Sequence, residues 1–227
     1  WPVGAMVEVL RGGAAETHAW QLLLPALARA VQAQGGPVAL VGAPYEPFMP
    51  ALAAGGLGPE ALLWVRSEAP AARLWACEQA LRCADVAAVL AWLPRARVGE
   101  LRRLQLAAAQ HESLLFVLRP DTVAQSASPA RLRLRVELEA GEGGAATLAV
   151  HILKRRGPPL AAPVTVPARS ERMVALLAAS QLRRKARQNQ MGGPQRSSSP
   201  ATVVRIAQPA LSLVEAGHAL DRIALVA

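Results

Sequence analysis

The sequence predicts an α/β protein: a mainly parallel sheet flanked by helices, followed by an antiparallel hairpin. Three observations carry that class. Short apolar runs alternate with helical patterns from Met6 to Leu118, the signature of right-handed βαβ units whose sheet is covered on both faces. After Pro120 the hydrophobic period changes from helical to two, and Gly141-Glu-Gly-Gly144 separates two alternating stretches, as a hairpin requires. With 227 residues, the chain has room for one such domain of about 160 residues and a tail.

The first strand is Met6-Val-Glu-Val-Leu10, followed by a loop from Arg11 to Glu16 and a helix from about Thr17 to Gln34. Thr17 is its N-cap, Ala19, Leu22, Leu23, Ala26, Leu27 and Val31 share one face, and Pro25 should kink it. A strand-loop-helix unit of this kind is where an α/β domain holds phosphates, on inward N–H groups and the helix N-terminus. A working phosphate loop reads G-x-x-x-x-G-K-[ST], whereas Arg11-Gly-Gly-Ala-Ala-Glu-Thr-His18 has Glu16 at the second glycine and Thr17 at the lysine. On the residues alone, a decayed nucleotide loop and a corner that never held a nucleotide stay open.

A buried strand, Val38 to Val41, ends at Gly42-Ala-Pro-Tyr45, where a catalytic carboxylate would sit and Pro44 stands instead. A short helix near Glu46 to Ala54, a strand Ala61 to Val65 and a helix Pro70 to about Cys83 follow. Next come the strand Val86 to Trp92, the helix Val98 to Gln110 and the strand Ser113 to Leu118. The end Leu90-Ala-Trp92, where an ATPase places its Mg²⁺-binding aspartate, carries no ligand. In the hairpin, Leu132, Leu134, Val136 and Leu138 alternate with Arg131, Arg133, Arg135, Glu137 and Glu139, which predicts one apolar and one solvated face. Its second strand, Thr147 to Leu153, runs into the basic cluster Lys154-Arg-Arg156 and the turn Gly157-Pro-Pro159.

From Ala168 the patterning loosens. Ser170 to Gln188 reads as a helix ending in Arg183, Arg184, Lys185 and Arg187, Gln190 to Ser199 as a disordered linker, and Ala201 to Ala227 as a segment that orders against a partner. The expected organisation is therefore a core over residues 1–167, incomplete at its N-terminus, and a basic, partly disordered tail over 168–227. Charge follows the same division. Residues 1–167 carry 16 basic and 13 acidic side chains, and 168–227 carry 9 and 3, so +6 of the net +9 lies in the tail. A basic tail suits a polyanion or an acidic partner. The only lysines are Lys154 and Lys185, an arginine bias that genome composition explains as readily as phosphate recognition does.

No apolar run is long enough to span a membrane and no signal peptide is evident, so the chain reads as cytoplasmic, with no membrane partner. Cys77 and Cys83 lie six apart on one predicted helix, on different faces, which argues against a disulfide or a metal pair and for small packing residues. No metal site and no cofactor are expected.

Seven strings in order, W-P-x-G-A-M-V-E-V-L at the start, Leu22-Leu-Leu-Pro-Ala-Leu-Ala28, Val41-Gly-Ala-Pro-Tyr45, Leu63-Trp-Val65, Ala91-Trp-Leu-Pro94, Leu101-Arg-Arg-Leu-Gln105 and Leu153-Lys-Arg-Arg-Gly-Pro-Pro159, resemble the ImuA family. These are RecA-like, sometimes SulA-like labelled, accessory proteins of bacterial SOS mutagenesis. The resemblance covers residues 1 to about 167. It implies a RecA-like P-loop-type core and a place in translesion synthesis beside ImuB, a Y-family polymerase relative, and an error-prone C-family polymerase, with RecA and DNA as further candidate partners. It favours the decayed loop, with Arg11, Gly12, Gly13, Glu16 and Thr17 as its remnant. It also implies that Lys154, Arg155 and Arg156 match the basic finger of a RecA filament interface, and that Arg95, Arg97 and Arg119 lie in loops that hold DNA in RecA. Arg183, Arg184, Lys185 and Arg187 are further candidates for DNA or partner contact. Without the phosphate-loop lysine, Mg²⁺ ligand or base, phosphoryl transfer has no machinery, so a non-catalytic scaffold is expected. The alternatives are a SulA-type cell-division inhibitor and a weak ATPase.

Overall fold

The computed structural model describes residues 1–12, 19–140, 146–169 and 171–191. Expectations that fall on Gly13, Glu16, Thr17, the turn at 141–144, Ser170 and residues 192–227 lie outside the described residues.

Strands β1 (Ala5–Arg11), β2 (Val38–Val41), β3 (Leu62–Val65), β4 (Ala88–Trp92) and β5 (Leu114–Pro120) run parallel. They are joined in turn by α1 (Ala19–Gln34), α2 (Met49–Ala54), α3 (Pro70–Arg82) and α4 (Val98–Gln110). Strand β6 (Leu132–Ala140) adds parallel to β1, and β7 (Ala146–Lys154) and β8 (Val164–Pro167) follow antiparallel. The eight strands form one sheet in the order β3-β2-β4-β5-β1-β6-β7-β8. The mostly parallel sheet, its flanking helices and the antiparallel hairpin are as expected. The helix predicted from Ser170 is α5, Glu171–Met191. Contacts divide the chain into residues 1–182 and 183–227, a boundary inside α5.

Alternation along each strand sorts the core into two layers. Val7, Val9, Leu40, Leu90, Phe116, Leu134 and Val136 face α1 and α2, with Leu23, Leu24, Leu27 and Leu52 from those helices. Met6, Ala39, Val41, Val89, Leu115 and Val117 face α3 and α4, with Cys77, Leu81, Leu101 and Leu104. Burying side chains on both faces removes most of each strand's apolar surface from water, at about 25 cal/mol per Å². This is why β2 and β4 read as continuous apolar runs, and β1 does so apart from Glu8 and Arg11.

Several bounds differ from the sequence reading. The short helix begins only at Met49, because Pro50 is favoured in a first turn and unfavourable further in. The strand expected from Val86 begins at Ala88, since Val86 N–H bonds back to the Cys83 carbonyl (3.2 Å) and Ala87 N–H to the Pro37 carbonyl (2.9 Å). Strand β8 was not foreseen. It is four residues, preceded by Pro163 and ending in Pro167, pairs Leu148 with Val166 and Val150 with Val164, and gives β7 its second neighbour. Cys77 is a packing residue as expected, but Cys83 is exposed at the end of α3. No helix among the described residues is long and apolar enough to cross a membrane.

The connection from β5 to β6 has no α-helix. The chain crosses β1 through a single 3-10 turn, Asp121–Val123, and an irregular stretch to Arg131, whose N–H bonds the Met6 carbonyl at 3.2 Å. A loop laid on a sheet must satisfy its own polar backbone groups, and here a side chain from the sheet does so.

Candidate functional site

Glu8 is the one carboxylate of β1 and is fully buried, on the sheet face that β5 and β6 share with the crossing loop. Its register partners are Val117 on β5 and Arg133 on β6. The Arg119 guanidinium donates to Glu8 Oε1 at 2.8 Å and Arg133 Nε donates to Oε2 at 2.7 Å. Arg133 then donates to the carbonyls of Ala124 (2.7 Å), Ser126 (2.9 Å) and Val123 (2.7 Å) in the crossing loop. Arg119 reaches the Ala96 carbonyl at 2.9 Å. One carboxylate thus neutralises one of two guanidiniums, and their donors hold two loops, 93–97 and 121–126. A lysine could not replace Arg133, because only a planar five-donor fork serves four acceptors at once.

Two expectations are corrected here. Arg119, a candidate for DNA contact, is buried and committed to Glu8 and Ala96, so its charge is not offered at the surface. Arg133, expected on a solvated hairpin face, is likewise buried against Glu8. The rest of that face is closer to expectation, with Arg135 Nε near Glu137 Oε1 (2.9 Å) and His151 near Glu137 Oε2 (3.1 Å), all partly exposed.

The carboxyl ends of the parallel strands meet at one edge, where open α/β sheets bind ligands. A cleft of about 380 Å³ is lined there by Arg11 and Gly12 at the end of β1, Gly42 and Pro44 after β2, Trp92 and Pro94 at the end of β4, and Pro120 and Asp121 at the end of β5. Arg73 enters it from α3, its Nε donating to the Ser67 carbonyl at 2.5 Å. Close packing explains two of the glycines. A Cβ on Gly12 would strike the Asp121 carboxylate, and Gly42, at φ 66°, lies against the Arg73 side chain. An adjoining cleft of about 250 Å³ shares Arg11, Pro44 and Trp92 and adds Trp20, Tyr45 and Phe48. The Trp20 and Trp92 rings are 5.7 Å apart, and Tyr45 and Phe48 are exposed.

Among the described residues, the two clefts are lined by two cations, Arg11 and Arg73, two carboxylates, Glu46 and Asp121, and an aromatic wall. Asp121 was missed by sequence reasoning, since it follows a strand end whose position in the sheet the sequence does not show. Of the expected loop remnant, Arg11 and Gly12 line the cleft. Pro44 and Trp92 stand where the sequence placed them, at the ends of β2 and β4. Among the described residues no cluster of three His, Cys, Asp or Glu could hold a metal ion.

Arg95 and Arg97 are exposed between β4 and α4, and Arg97 N–H donates to Glu100 Oε2 at 2.7 Å. Lys154 is exposed but its Nζ donates to the Ser128 carbonyl at 3.0 Å, and Arg155 Nε donates to the Pro158 carbonyl at 2.6 Å. Arg156 is exposed. The cluster is therefore not one projecting finger: two of its three cations are tied to neighbouring backbone. Arg183, Arg184, Lys185 and Arg187 are exposed on α5.

Fold and edge together define an α/β protein with an eight-stranded, mostly parallel sheet, a cleft at the strand ends and an antiparallel extension. No protein-family model matches the chain, and no curated protein does. Among solved structures it is similar to the crystal structure of SulA from Pseudomonas aeruginosa, at 23% identity and a TM-score of 0.43, over 50% of this chain and 97% of that one.

Proposed function

We propose that this chain is a non-catalytic, RecA-like accessory scaffold of the ImuA type, acting in SOS-induced translesion DNA synthesis through contacts with ImuB, RecA and DNA. The observation that carries the reading is the composition of the strand-end edge. A nucleotide hydrolase needs a cation on the terminal phosphates, a Mg²⁺ ligand and a group that orients the attacking water. The ends of β2 and β4 present Pro44 and Trp92 there, neither of which can bind Mg²⁺ or orient water, while the charged groups of the cleft among the described residues are Arg11, Arg73 and Asp121. The strand order supports the same reading. With β5 inserted between β1 and β4, the ends of β1 and β4 flank one crevice, the arrangement in which a phosphate loop and a metal-binding strand cooperate. The seven sequence strings over residues 1–167 supply the family and hence the partners.

The test is equilibrium binding of labelled ATP with Mg²⁺, together with steady-state phosphate release. No turnover and no binding in the micromolar range are expected. Micromolar affinity, or turnover abolished by Asp121→Asn, would overturn the reading. A pull-down from DNA-damaged cells that retains ImuB or RecA supports the scaffold role, and one that retains neither counts against it.

A further inference from the structure

On the hairpin side of the sheet, the crossing loop and the strands form an open cavity of about 510 Å³, lined by Ser126 and Ser128 from the loop and by Arg133, Arg135, Leu153 and Lys154 from β6 and β7. A β-bulge lies in its lining. Leu134 pairs with Ile152 but Arg133 pairs with Lys154, so Leu153 is an extra residue in β7. Without the bulge, strict alternation would set Leu153 opposite Arg133. With it, Lys154 takes that position, on the same face as Arg133 and Arg135, and the re-aiming of one side chain is the usual consequence of such an insertion.

Among the described residues three charged side chains line the cavity, all of them cations, and no carboxylate does. Their compensation is incomplete. Glu8 serves both Arg119 and Arg133, which leaves that buried group with one excess positive charge. Arg135 Nε lies 2.9 Å from Glu137 Oε1, and Glu137 is shared with His151, so the Arg135 charge is met by a partly exposed carboxylate that serves two groups. Lys154 uses one of its three N–H donors on a neutral carbonyl. Lys154 is exposed with no carboxylate among its described partners, and an ammonium with spare donors beside a guanidinium and two hydroxyls is what charge-assisted binding of an oxyanion uses.

We infer that this cavity is a binding site for a phosphate-type oxyanion, held by Lys154 and Arg135 and balanced electrostatically by the excess charge of the Glu8–Arg119–Arg133 group. The site lies away from the strand-end cleft and needs neither ATP nor a partner protein, so it stands or falls independently of the scaffold reading. A free diphosphate and a phosphate of a nucleic-acid strand present the same oxygens, and the experiment separates them.

The probe is pyrophosphate, titrated calorimetrically into the full chain at low ionic strength. Saturable binding at one site per chain is expected. The pair Arg135→Gln and Lys154→Gln should weaken it by about tenfold or more, the scale of a lost charged hydrogen bond. Lys154→Arg should keep most of it. Arg29→Gln, which removes one exposed charge from α1 on the other side of the sheet, should leave it unchanged. Circular dichroism and thermal melts check that each variant is folded, which is expected because Lys154 is exposed and Arg135 partly so. Absence of saturable binding overturns the inference, as does equal weakening by Arg29→Gln. A second arm adds a twelve-residue oligothymidylate: displacement of pyrophosphate assigns the site to a phosphodiester backbone, and undisturbed pyrophosphate binding assigns it to a free phosphate compound.

Discussion

Replacing Glu8 by glutamine should destabilise the fold more than any other single isosteric change among its described residues. Glu8 is fully buried and accepts from Arg119 at 2.8 Å and from Arg133 at 2.7 Å. Glutamine keeps the volume but removes the only negative charge, so the group goes from one to two uncompensated positive charges. Its NH₂ also turns a donor toward one of two guanidiniums that are themselves donors only. Breaking a buried pair by removing one partner costs about 3–5 kcal/mol. For a domain of this size each kcal/mol shifts the melting temperature by about 2–4 °C, so a loss of about 6–20 °C is expected. The companion change Arg119→Met removes the excess charge and leaves Glu8 with Arg133 as a neutral pair, at a cost of only about 1–2 kcal/mol for the bonds lost to Glu8 and Ala96. Arg133→Met should fall between them, because it strands the carbonyls of Val123, Ala124 and Ser126 as well. Urea denaturation followed by circular dichroism gives the three values. If Glu8→Gln costs less than about 1 kcal/mol, the group behaves as a surface ion pair and the reasoning is refuted. An order in which Arg119→Met is the most damaging would refute it equally.

Gly36→Ala should destabilise by about 1–3 kcal/mol or more, since its Cβ would run into the Asp85 carbonyl. Wild-type stability in the alanine variant would mean that the turn shifts freely. Burial pushes the Cys77 thiol from 9.0 up to about 12, so at pH 8 iodoacetamide should modify Cys83 alone, and Cys77 only after denaturation; mass spectrometry of the native protein showing Cys77 alkylated would contradict this. Because that thiol is favoured neutral in the fold, its contribution to stability is complete below pH 9 and is lost as the pH rises toward 12, which alkaline melts of wild type and Cys77→Ala would reveal as a difference in slope. Changing Arg183, Arg184, Lys185 and Arg187 to glutamine should weaken DNA binding and flatten its salt dependence by about 0.9 per lost duplex phosphate contact. Unchanged affinity at low salt would remove α5 from the DNA interface.

Local pattern determined a good deal of this protein. Strand β2 and helix α4 begin and end where the apolar spacing puts them, because continuous apolar runs and 3.6-residue periods are properties of neighbouring residues. The switch to period two after Pro120 likewise marked the hairpin, and Pro44 and Trp92 stand at the ends of β2 and β4 as the pattern placed them. What the sequence could not determine was which strands lie side by side. Glu8 meets Arg119 and Arg133 across 111 and 125 residues, and only the order β5-β1-β6 brings them together. The lone carboxylate in Met6-Val-Glu-Val-Leu10 was the available signal, since a buried charge in a central strand requires a partner, but its partners looked like a loop cation and a solvated hairpin residue. Asp121 entered the cleft and Lys154 entered the oxyanion cavity for similar reasons, the first through sheet order and the second through a one-residue bulge. Register and bulges are set by the sum of cross-strand contacts, a long-range quantity that no window of sequence contains.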